Sequence, residues 1–271
     1  MIEEANATAA DEKSVVRSLV RSIHVIQAIN LHGSLSLTEI ARLARIPFPT
    51  AYRIVNTLLQ EGLIEREPLR KQYRPTALIQ SLACGFQNHD RLVTIARPVT
   101  AAFTDRYHWP LSVVTRVGTK MVVRYSTSVQ TTLTFNNYYP GWQVPLLASA
   151  SGQVYLAFAA DHVRANLLEQ STTLRSPDSL MLSKFQDGSA GERIRKDGYA
   201  AVAKTHYSAN PGRTSSLAVP IFDGEELAGS LALVFFANAM TLDRAIKDFL
   251  EPLKVVADQI GKGLLESSEP Q

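Results

Sequence analysis

The amino-acid sequence predicts an α+β protein with an N-terminal winged helix-turn-helix, a connecting helix and a C-terminal domain that contains antiparallel sheet. The first observation is a series of N-terminal signals: a capping-box helix start at Ser36, a short helix from Pro47 and a basic hairpin. The second is a pair of hairpin patterns mixed with helices beyond Pro110. The third is size, because 271 residues, 45% hydrophobic and 20% charged, can bury one small and one medium core.

The first three helices follow from apolar spacing and capping residues. Apolar side chains at helical spacing predict an amphipathic helix over residues 15–31; they are Val16, Leu19, Ile23, Ile26 and Ile29. Ser36 and Glu39 form a capping-box pattern, which predicts the start of a second, short helix. Pro47 or Pro49 is expected to begin the third helix, because proline is tolerated only in a first turn. Only two or three residues separate these helices, as in a helix-turn-helix.

The third helix is expected to have an inward stripe and a polar outer face. The stripe consists of Ala51, Ile54, Leu58 and Leu59. The strands of the following hairpin are expected within residues 63–66 and 72–74, and they form the wing. Polar groups on the outer face, at the second helix start and at the wing tip are suited to phosphates and base edges. The candidate DNA-binding residues are Ser36, Thr38, Thr50, Tyr52, Arg53, Asn56, Arg70 and Lys71.

Positive charge is concentrated in this segment. Residues 13–80 carry ten basic and four acidic side chains, whereas the net charge of the whole chain is only +3. A basic patch is the electrostatic footprint that binding to double-stranded operator DNA requires. The alternative is a small helical domain that binds protein through the same fold.

The run SLTEIARLARIPFPTAYRIVNTLLQEGLIERE, residues 36–67, followed by KQYRPT, resembles the winged helix-turn-helix of the IclR family of bacterial transcription regulators. The resemblance implies that Thr50, Tyr52 and Arg53 lie on the recognition helix. Arg45 occupies a turn position that is usually glycine, and a left-handed conformation there costs on the order of 1 kcal/mol. A Lys-Ser pair of the family is replaced by residues 48–49, so the operator sequence cannot be transferred from relatives.

The remaining elements are predicted from hairpin and capping signals. We expect a DNA-binding domain over residues 13–76, a connecting helix over 77–90 and a C-terminal domain over 91–267. The single cysteine, Cys84, is expected to be a packed thiol in the connecting helix. Hairpins are predicted over residues 111–125 and 217–236, and Thr241 is expected to cap a long helix that runs to about Leu265.

The resemblance extends through the C-terminal part, in segments 141–158, 194–200 and 215–224. In the family this domain is GAF-like and binds a small metabolite. The segments MVVRYST, residues 121–127, and LVFFANAMT, residues 233–241, resemble the activators of aromatic-acid catabolism, such as that of 3-(3-hydroxyphenyl)propionate. The resemblance therefore implies an activator with an aromatic carboxylate effector. A repressor that responds to a small non-aromatic carboxylate is the alternative.

The resemblance also indicates candidate effector-binding residues. Family ligands contact backbone amides at the positions of Ala150 and Ser151, near a helix start that favours a carboxylate. Further family contact positions are Ser215, Ser216, Ala232 and Val234. Loss of polar groups at several family positions favours a larger, flatter anion over a tiny hydrophilic acid.

Other pocket candidates follow from their side-chain chemistry. Trp142 is either a stacking wall for the ligand or a core residue. A cation for the carboxylate could come from residues that otherwise lie on the surface, which are Arg124, Lys204, His206 and Arg213.

The sequence argues against enzymes, metal sites and membrane proteins. It lacks H-E-x-x-H and glycine-rich phosphate motifs, and ASASG lacks the first glycine of a nucleophile elbow. We therefore predict no catalytic residues, metal or cofactor. The acidic N-terminus and the absence of an 18-residue apolar run predict a cytoplasmic protein. One winged module makes few contacts, so a homodimer or homotetramer is expected on DNA, with RNA polymerase as a further partner.

Overall fold

A computed structural model describes residues 15–87, 90–118, 120–134, 138–173, 179–204 and 213–267. The chain forms two compact units, with the division between residues 89 and 90. Each unit is described by itself. The α+β class that the sequence predicts is confirmed, with a helix-turn-helix unit followed by a larger antiparallel-sheet unit.

The N-terminal unit is a three-helix domain with a small sheet. Its elements are α1 (Arg17–His32), β1 (Leu35–Ser36), α2 (Leu37–Leu43), α3 (Phe48–Gln60), β2 (Ile64–Arg66) and β3 (Gln72–Pro75). The sheet has the order β1-β3-β2, and both strand pairs are antiparallel. Fully buried aliphatic side chains from all three helices meet in its core, among them Val25, Ile40 and Val55.

The packing of α1 differs from the prediction. The apolar spacing predicts a single inward face, but only the second half of the helix is buried, at Val25, Ala28 and Ile29. Leu19 and Ile23, which belong to the predicted face, are exposed within the chain. The reason is that, in the described unit, the apolar core contacts α1 through residues 25–29 in its C-terminal half.

The predicted connecting helix is also different. Residues Ala77–Leu82 form a 3-10 helix, and a one-turn helix, α4 (Cys84–Gln87), follows it. Thr76 fixes the start of this stretch, because its hydroxyl donates to the Gly62 carbonyl and accepts from the Leu78 amide. The prediction of a packed thiol was wrong, since Cys84 is exposed in this chain.

The C-terminal unit is built on one antiparallel sheet with the order β6-β5-β4-β9-β8-β7. The strands are β4 (Leu111–Val117), β5 (Lys120–Ser126), β6 (Gln143–Val144), β7 (Ala200–Val202), β8 (Thr214–Asp223) and β9 (Glu226–Phe236). The helices are α5 (Arg91–Tyr107), α6 (Ala150–Phe158), α7 (Asp161–Thr173), α8 (Ser179–Gln186), α9 (Ser189–Asp197) and α10 (Leu242–Glu266). Both predicted hairpins and the Thr241 cap, whose side chain accepts from the Arg244 amide, are confirmed.

The two faces of this sheet pack against different helices because strand side chains alternate. Leu217, Leu231 and Leu233 point to a core shared with α5 and α10. Ala218 and Ala232 point to the opposite core, where α6 packs directly on the sheet. Their small side chains let the start of α6 approach the strands closely, which determines the position of the cavity described below.

Candidate nucleic-acid interface and ligand cavity

The start of α2 is fixed by the predicted capping box. The Ser36 hydroxyl accepts from the Glu39 amide at 3.4 Å, and the Glu39 carboxylate accepts from the Ser36 amide at 2.8 Å. Donation from the Ser36 hydroxyl and amide lowers the pKa of Glu39 below its ordinary value. Ser36 is therefore occupied as a cap, and Thr38 is the exposed hydroxyl of this first turn.

The turn between α2 and α3 contains a left-handed residue, at the position where the family usually has glycine. Arg45 has φ 53°, although it carries a full side chain. The amide of Ile46 donates to the Ala41 carbonyl at 3.0 Å and closes the turn. Pro47 is the N-cap of α3 and Pro49 lies in its first turn, as the proline pattern predicts.

Helix α3 presents a mixed polar and aromatic face to solvent. Its buried stripe consists of Ala51, Val55 and Leu58, whereas the predicted Ile54 and Leu59 are only partly buried. Ala51 and Leu58 are as predicted, and Val55 was missed because its neighbour Ile54 was placed in the stripe instead. The outer face comprises exposed Tyr52, Arg53 and Thr57 and half-buried Thr50 and Asn56.

Three of these outer-face residues also line a groove beside α1. The groove has a volume of about 330 Å³, and its polar lining includes Thr50, Arg53 and Thr57 from α3 and Arg21 from α1. Arg21 was not a candidate contact, since its position beside α3 depends on helix packing. The groove places two guanidinium groups, those of Arg21 and Arg53, along one side of the helix.

The wing is a short, well-paired hairpin. Glu65 lies opposite Arg74, and the two side chains form an ion pair of 2.6 Å. Arg70 and Lys71 are exposed at the tip, where no carboxylate of a described residue is bonded to them. Ser36 pairs with Gln72, so β1 joins the wing to the start of α2. This pairing was not predicted from the sequence.

The C-terminal unit contains a small cavity at the start of α6. Its volume is about 30 Å³. It is lined by Tyr138, Val144, Pro145, Ala148, Ser149, Ser151, Val202, Ala203, Thr214, Ser216 and Val234. Three predicted effector-binding residues, Ser151, Ser216 and Val234, are therefore brought together. No side chain in this lining, which comes from the described residues alone, is charged.

Two serines organise the start of α6. Ser149 is the N-cap, and its hydroxyl accepts from the Gly152 amide at 3.1 Å. The Ala150 amide donates to the Ser216 hydroxyl, with a long distance of 3.4 Å. Ser149 was missed, although a serine before an apolar helix is a recognisable capping signal. Among the described residues, the Ala150 amide thus has a single, long hydrogen bond, to Ser216 on β8.

Two of the predicted contact residues do not reach the cavity. Ser215 lies between Thr214 and Ser216 on β8, so alternation directs it to the opposite face of the sheet, where its partner is Phe235. Ala232 has the correct face but is covered by α6, where it packs in the core with Ala150. Sequence position alone could not distinguish these cases, because both depend on the strand register.

The predicted cations also lie elsewhere. Arg124 is the extra residue of a β-bulge, since Val113 pairs with Tyr125 and Val114 pairs with Val123. Its guanidinium donates to a Thr115 hydroxyl and to Asp90 on the α5 side.

Neither of the other two described candidates lines the cavity. Arg213 and Lys204 are exposed, and neither belongs to the cavity lining. His206 lies outside the described residues.

Trp142 lies on the cavity side of the sheet without lining the cavity itself. It packs in a cluster with Tyr138, Val144 and Val234, and its ring meets that of Tyr139 edge-on at 5.4 Å. The indole nitrogen of Trp142 and the hydroxyl of Tyr139 are buried without a hydrogen-bond partner among the described residues. Burial raises the pKa of Tyr139 to about 12. Both groups are therefore neutral donors near neutral pH.

The arrangement of both units agrees with known protein families. Residues 18–68 match the IclR helix-turn-helix domain, and residues 86–262 match the bacterial transcriptional regulator IclR C-terminal domain. The chain belongs to the IclR family. It is therefore a ligand-responsive, DNA-binding transcription regulator and not an enzyme.

Relatives cover most of the chain. The HTH-type transcriptional regulator BhcR of Paracoccus denitrificans is 28% identical over 83% of this chain and 80% of its own length. The acetate operon repressor of Salmonella typhimurium is 22% identical over 74% of both proteins. An IclR homolog from Microbacterium hydrocarbonoxydans, solved in complex with 4-hydroxybenzoate, has a TM-score of 0.66 and 21% identity and covers 91% of this chain and 98% of that one.

The IclR architecture is also found in the Thermotoga maritima IclR structure, with a TM-score of 0.63 and 19% identity. The match covers 93% of this chain and all of that one. The structure of this IclR chain also locates the residues that depart from the family pattern. Arg45 is the strained turn residue, and Phe48 and Pro49 are exposed in the first turn of α3. The first turn of α3 therefore differs chemically from one with a Lys-Ser pair.

Proposed function

We propose that this protein is a cytoplasmic activator of an aromatic-acid catabolic operon that binds operator DNA through α3 and an aromatic carboxylate beside α6. The observation that carries the proposal is that one chain has both an exposed polar face on α3 and a cavity next to the Ala150 amide. A helix start is favourable for a carboxylate because its backbone N–H groups and dipole attract negative charge.

The DNA-binding part of the proposal is that α3 lies in the major groove while the wing contacts phosphate. Tyr52 and Arg53 are exposed on α3, and Arg70 and Lys71 are exposed at the wing tip. A single module of this size makes few base contacts. Two modules, from a homodimer or a homotetramer, span half-sites about 34 Å apart for each helical turn of DNA.

Gel-shift titrations with Arg53→Ala test this interface. The variant is expected to lose roughly 1 to 3 kcal/mol of operator binding if Arg53 contacts a base. Arg244→Ala is the control, because Arg244 is exposed on α10 and pairs only with Asp248 among the described residues. Unchanged affinity in the Arg53 variant would reject the assignment.

A salt titration separates DNA binding from protein binding. Affinity for DNA should fall steeply as salt rises, because phosphate contacts release counterions. An N-terminal domain that binds protein through apolar contacts would show no such dependence and would not bind the operator.

The effector part of the proposal rests on the lining of the cavity. One side is apolar, with Val144, Val202 and Val234, and the other offers hydroxyls and the Ala150 amide. The Microbacterium relative bound to 4-hydroxybenzoate supports an aromatic acid. A cavity of about 30 Å³ holds about one water molecule, so an aromatic ring requires residues 138–148 to move outward.

The small volume favours a second candidate, a non-aromatic carboxylate of two or three carbons. Thermal unfolding decides between the two classes, because bound ligand raises the melting temperature according to its concentration relative to Kd. The panel contains benzoate, 4-hydroxybenzoate, 3-(3-hydroxyphenyl)propionate, acetate and pyruvate. Val234→Phe, which fills the cavity from β9, should abolish whichever response occurs.

In vitro transcription tests the direction of regulation. For an activator, effector and protein together should raise RNA polymerase output above the level without protein. Several relatives, among them the acetate operon repressor, are named as repressors, so the opposite result would also be informative. Transcription that is reduced by the protein and only restored by the effector would replace the activator with a repressor.

A further inference from the structure

We infer that the Tyr139 hydroxyl and the Trp142 indole N–H bind a second polar group of the effector, at the end of the site opposite the Ala150 amide. The inference rests on the proposed effector site and specifies its ligand further. The ligand would be an aromatic acid that carries a hydroxyl or phenolate oxygen opposite its carboxylate.

The first argument is that both donors are buried and unpaired. In the part of the chain that the structure describes, the Trp142 nitrogen and the Tyr139 oxygen each lack a hydrogen-bond partner. Native proteins pair nearly all their buried donors, so two unpaired donors on touching rings need an explanation. The raised pKa of Tyr139, about 12, keeps its hydroxyl protonated and able to donate.

The second argument is position. Trp142 precedes Val144 by two residues, so both side chains lie on the cavity face at the edge of the sheet. The Trp142 carbonyl accepts from the Val123 amide at 2.8 Å and fixes this residue beside β5. Tyr138, which lines the cavity, is the immediate neighbour of Tyr139.

The third argument is the extent of the cavity. Ser216, on β8, receives the Ala150 amide and marks the carboxylate end of the site. The same cavity is also lined by Val144 of β6, the strand that Trp142 precedes. A ligand that spans the cavity face therefore has its carboxylate at α6 and its other end beside Trp142 and Tyr139. That other end has to supply an acceptor.

The chemistry predicts selectivity. A hydroxyl or phenolate oxygen has lone pairs for both donors, whereas the corresponding C–H of benzoate has none. A site built to bond a hydroxyl discriminates against the analogue without it, because the buried donors then remain unpaired.

The test compares 4-hydroxybenzoate with benzoate by isothermal titration calorimetry. The wild type should bind 4-hydroxybenzoate roughly tenfold more tightly than benzoate. Tyr139→Phe and Trp142→Phe should each remove most of that preference, because each should weaken 4-hydroxybenzoate binding more than benzoate binding. Both variants keep an aromatic ring at the edge-on contact, and melting curves without ligand establish that they fold.

A fluorescence experiment locates the ligand independently. The chain has two tryptophans, and Trp109 packs edge-on with Phe235 on the α10 side of the sheet. Trp109→Phe therefore leaves Trp142 as the reporter. Its emission should shift to longer wavelength with 4-hydroxybenzoate and change little with benzoate. The Trp109→Phe variant should retain the wild-type preference between the two acids.

The outcomes separate this inference from the proposed function. If the wild type binds both acids equally, or if both Phe variants retain the preference, the donor assignment is overturned while an aromatic effector stands. If the wild type binds neither acid nor 3-(3-hydroxyphenyl)propionate, the aromatic effector itself is rejected, and the donor assignment is rejected with it.

Discussion

Arg124 and Asp90 form a largely buried ion pair of 3.0 Å at the start of the C-terminal unit. Asp90 has a second role, because its other carboxylate oxygen accepts from the Val93 amide and caps α5. Arg124 reaches it only because the β-bulge turns two successive residues, Arg124 and Tyr125, toward the α5 face. The Asp90 carboxylate therefore links the start of α5 to strand β5. The other face of β5 carries Val123, which packs in the same cluster as Val234 and Trp142.

We expect Asp90→Ala to lower the free energy of unfolding of the C-terminal unit by about 3 kcal/mol, from loss of a cap and from a partly buried unpaired guanidinium. Asp90→Asn keeps a capping oxygen, so it should lower the free energy of unfolding by about 1 kcal/mol less than Asp90→Ala does. Urea unfolding followed by tryptophan fluorescence measures both, since Trp109 and Trp142 lie in this unit. Arg244→Ala breaks an exposed pair and should cost no more than about 0.5 kcal/mol. An equal loss in Asp90→Ala and Arg244→Ala would contradict the structural role.

Arg45 is strained, and a glycine should relieve the strain. A left-handed non-glycine residue costs about 1 to 2 kcal/mol, part of which is offset by the greater flexibility of unfolded glycine. Arg45→Gly is therefore expected to stabilise the N-terminal unit by about 0.5 to 1 kcal/mol. Arg42→Gly, in the last turn of α2, should instead destabilise it by about 1 kcal/mol. Amide hydrogen exchange of residues 37–60 measures both changes, and equal protection losses would refute the strain.

Local signals in the sequence predicted local structure well. The Ser36 capping box, the proline start of α3 and the Thr241 cap each depend on residues within four positions of one another, and all three are confirmed. The hairpin of β8 and β9 is likewise local, and its two-residue turn consists of Gly224 and Glu225. In each case the backbone conformation is determined by a hydrogen bond or a dihedral preference that the sequence states directly.

Site residues that depend on distant packing were harder to predict. Ser215 and Ser216 differ only in the face of β8 that they occupy, and Arg124 changes face because of a bulge. A shift of one residue in register exchanges the two faces of a strand, so family position alone does not identify a cavity residue. Leu19 illustrates the corresponding limit for helices, because apolar spacing predicts a face without specifying what covers it.

The capping box should make the N-terminal unit sensitive to acid. The Ser36 hydroxyl and amide lower the pKa of Glu39 from its ordinary value of 4.5. The stability that this lowered pKa contributes is fully present at pH values above 4.5. It declines as pH falls below 4.5 and is lost once pH falls below the pKa of Glu39 in the folded protein. Glu39→Gln keeps a capping acceptor without titrating there. The melting-temperature difference between wild type and variant should therefore shrink on acidification, and a constant difference would contradict the pKa shift.

Gly152 is the residue on which the geometry of the cavity most depends. A Cβ at this position would lie 2.1 Å from the Leu146 carbonyl oxygen, so the α6 start and the backbone before it could not keep their present distance. Gly152→Ala should cost about 2 to 3 kcal/mol in urea unfolding, as overpacking does elsewhere. It should also abolish the ligand-induced rise in melting temperature, because the Ala150 amide would move away from Ser216.

Gly191→Ala is the matched control in the same unit. The nearest atoms to its Cβ would be those at the end of the Arg195 side chain, at 3.2 Å, which donates to the Ala157 carbonyl and is flexible enough to shift. We expect a change within about 1 kcal/mol, since alanine also favours the helix. Gly152→Ala could instead cost as little stability as Gly191→Ala and keep its ligand response. In that case, close packing of α6 against Leu146 does not determine the position of the Ala150 amide beside the cavity. The site would then tolerate the outward movement that an aromatic effector requires without loss of stability.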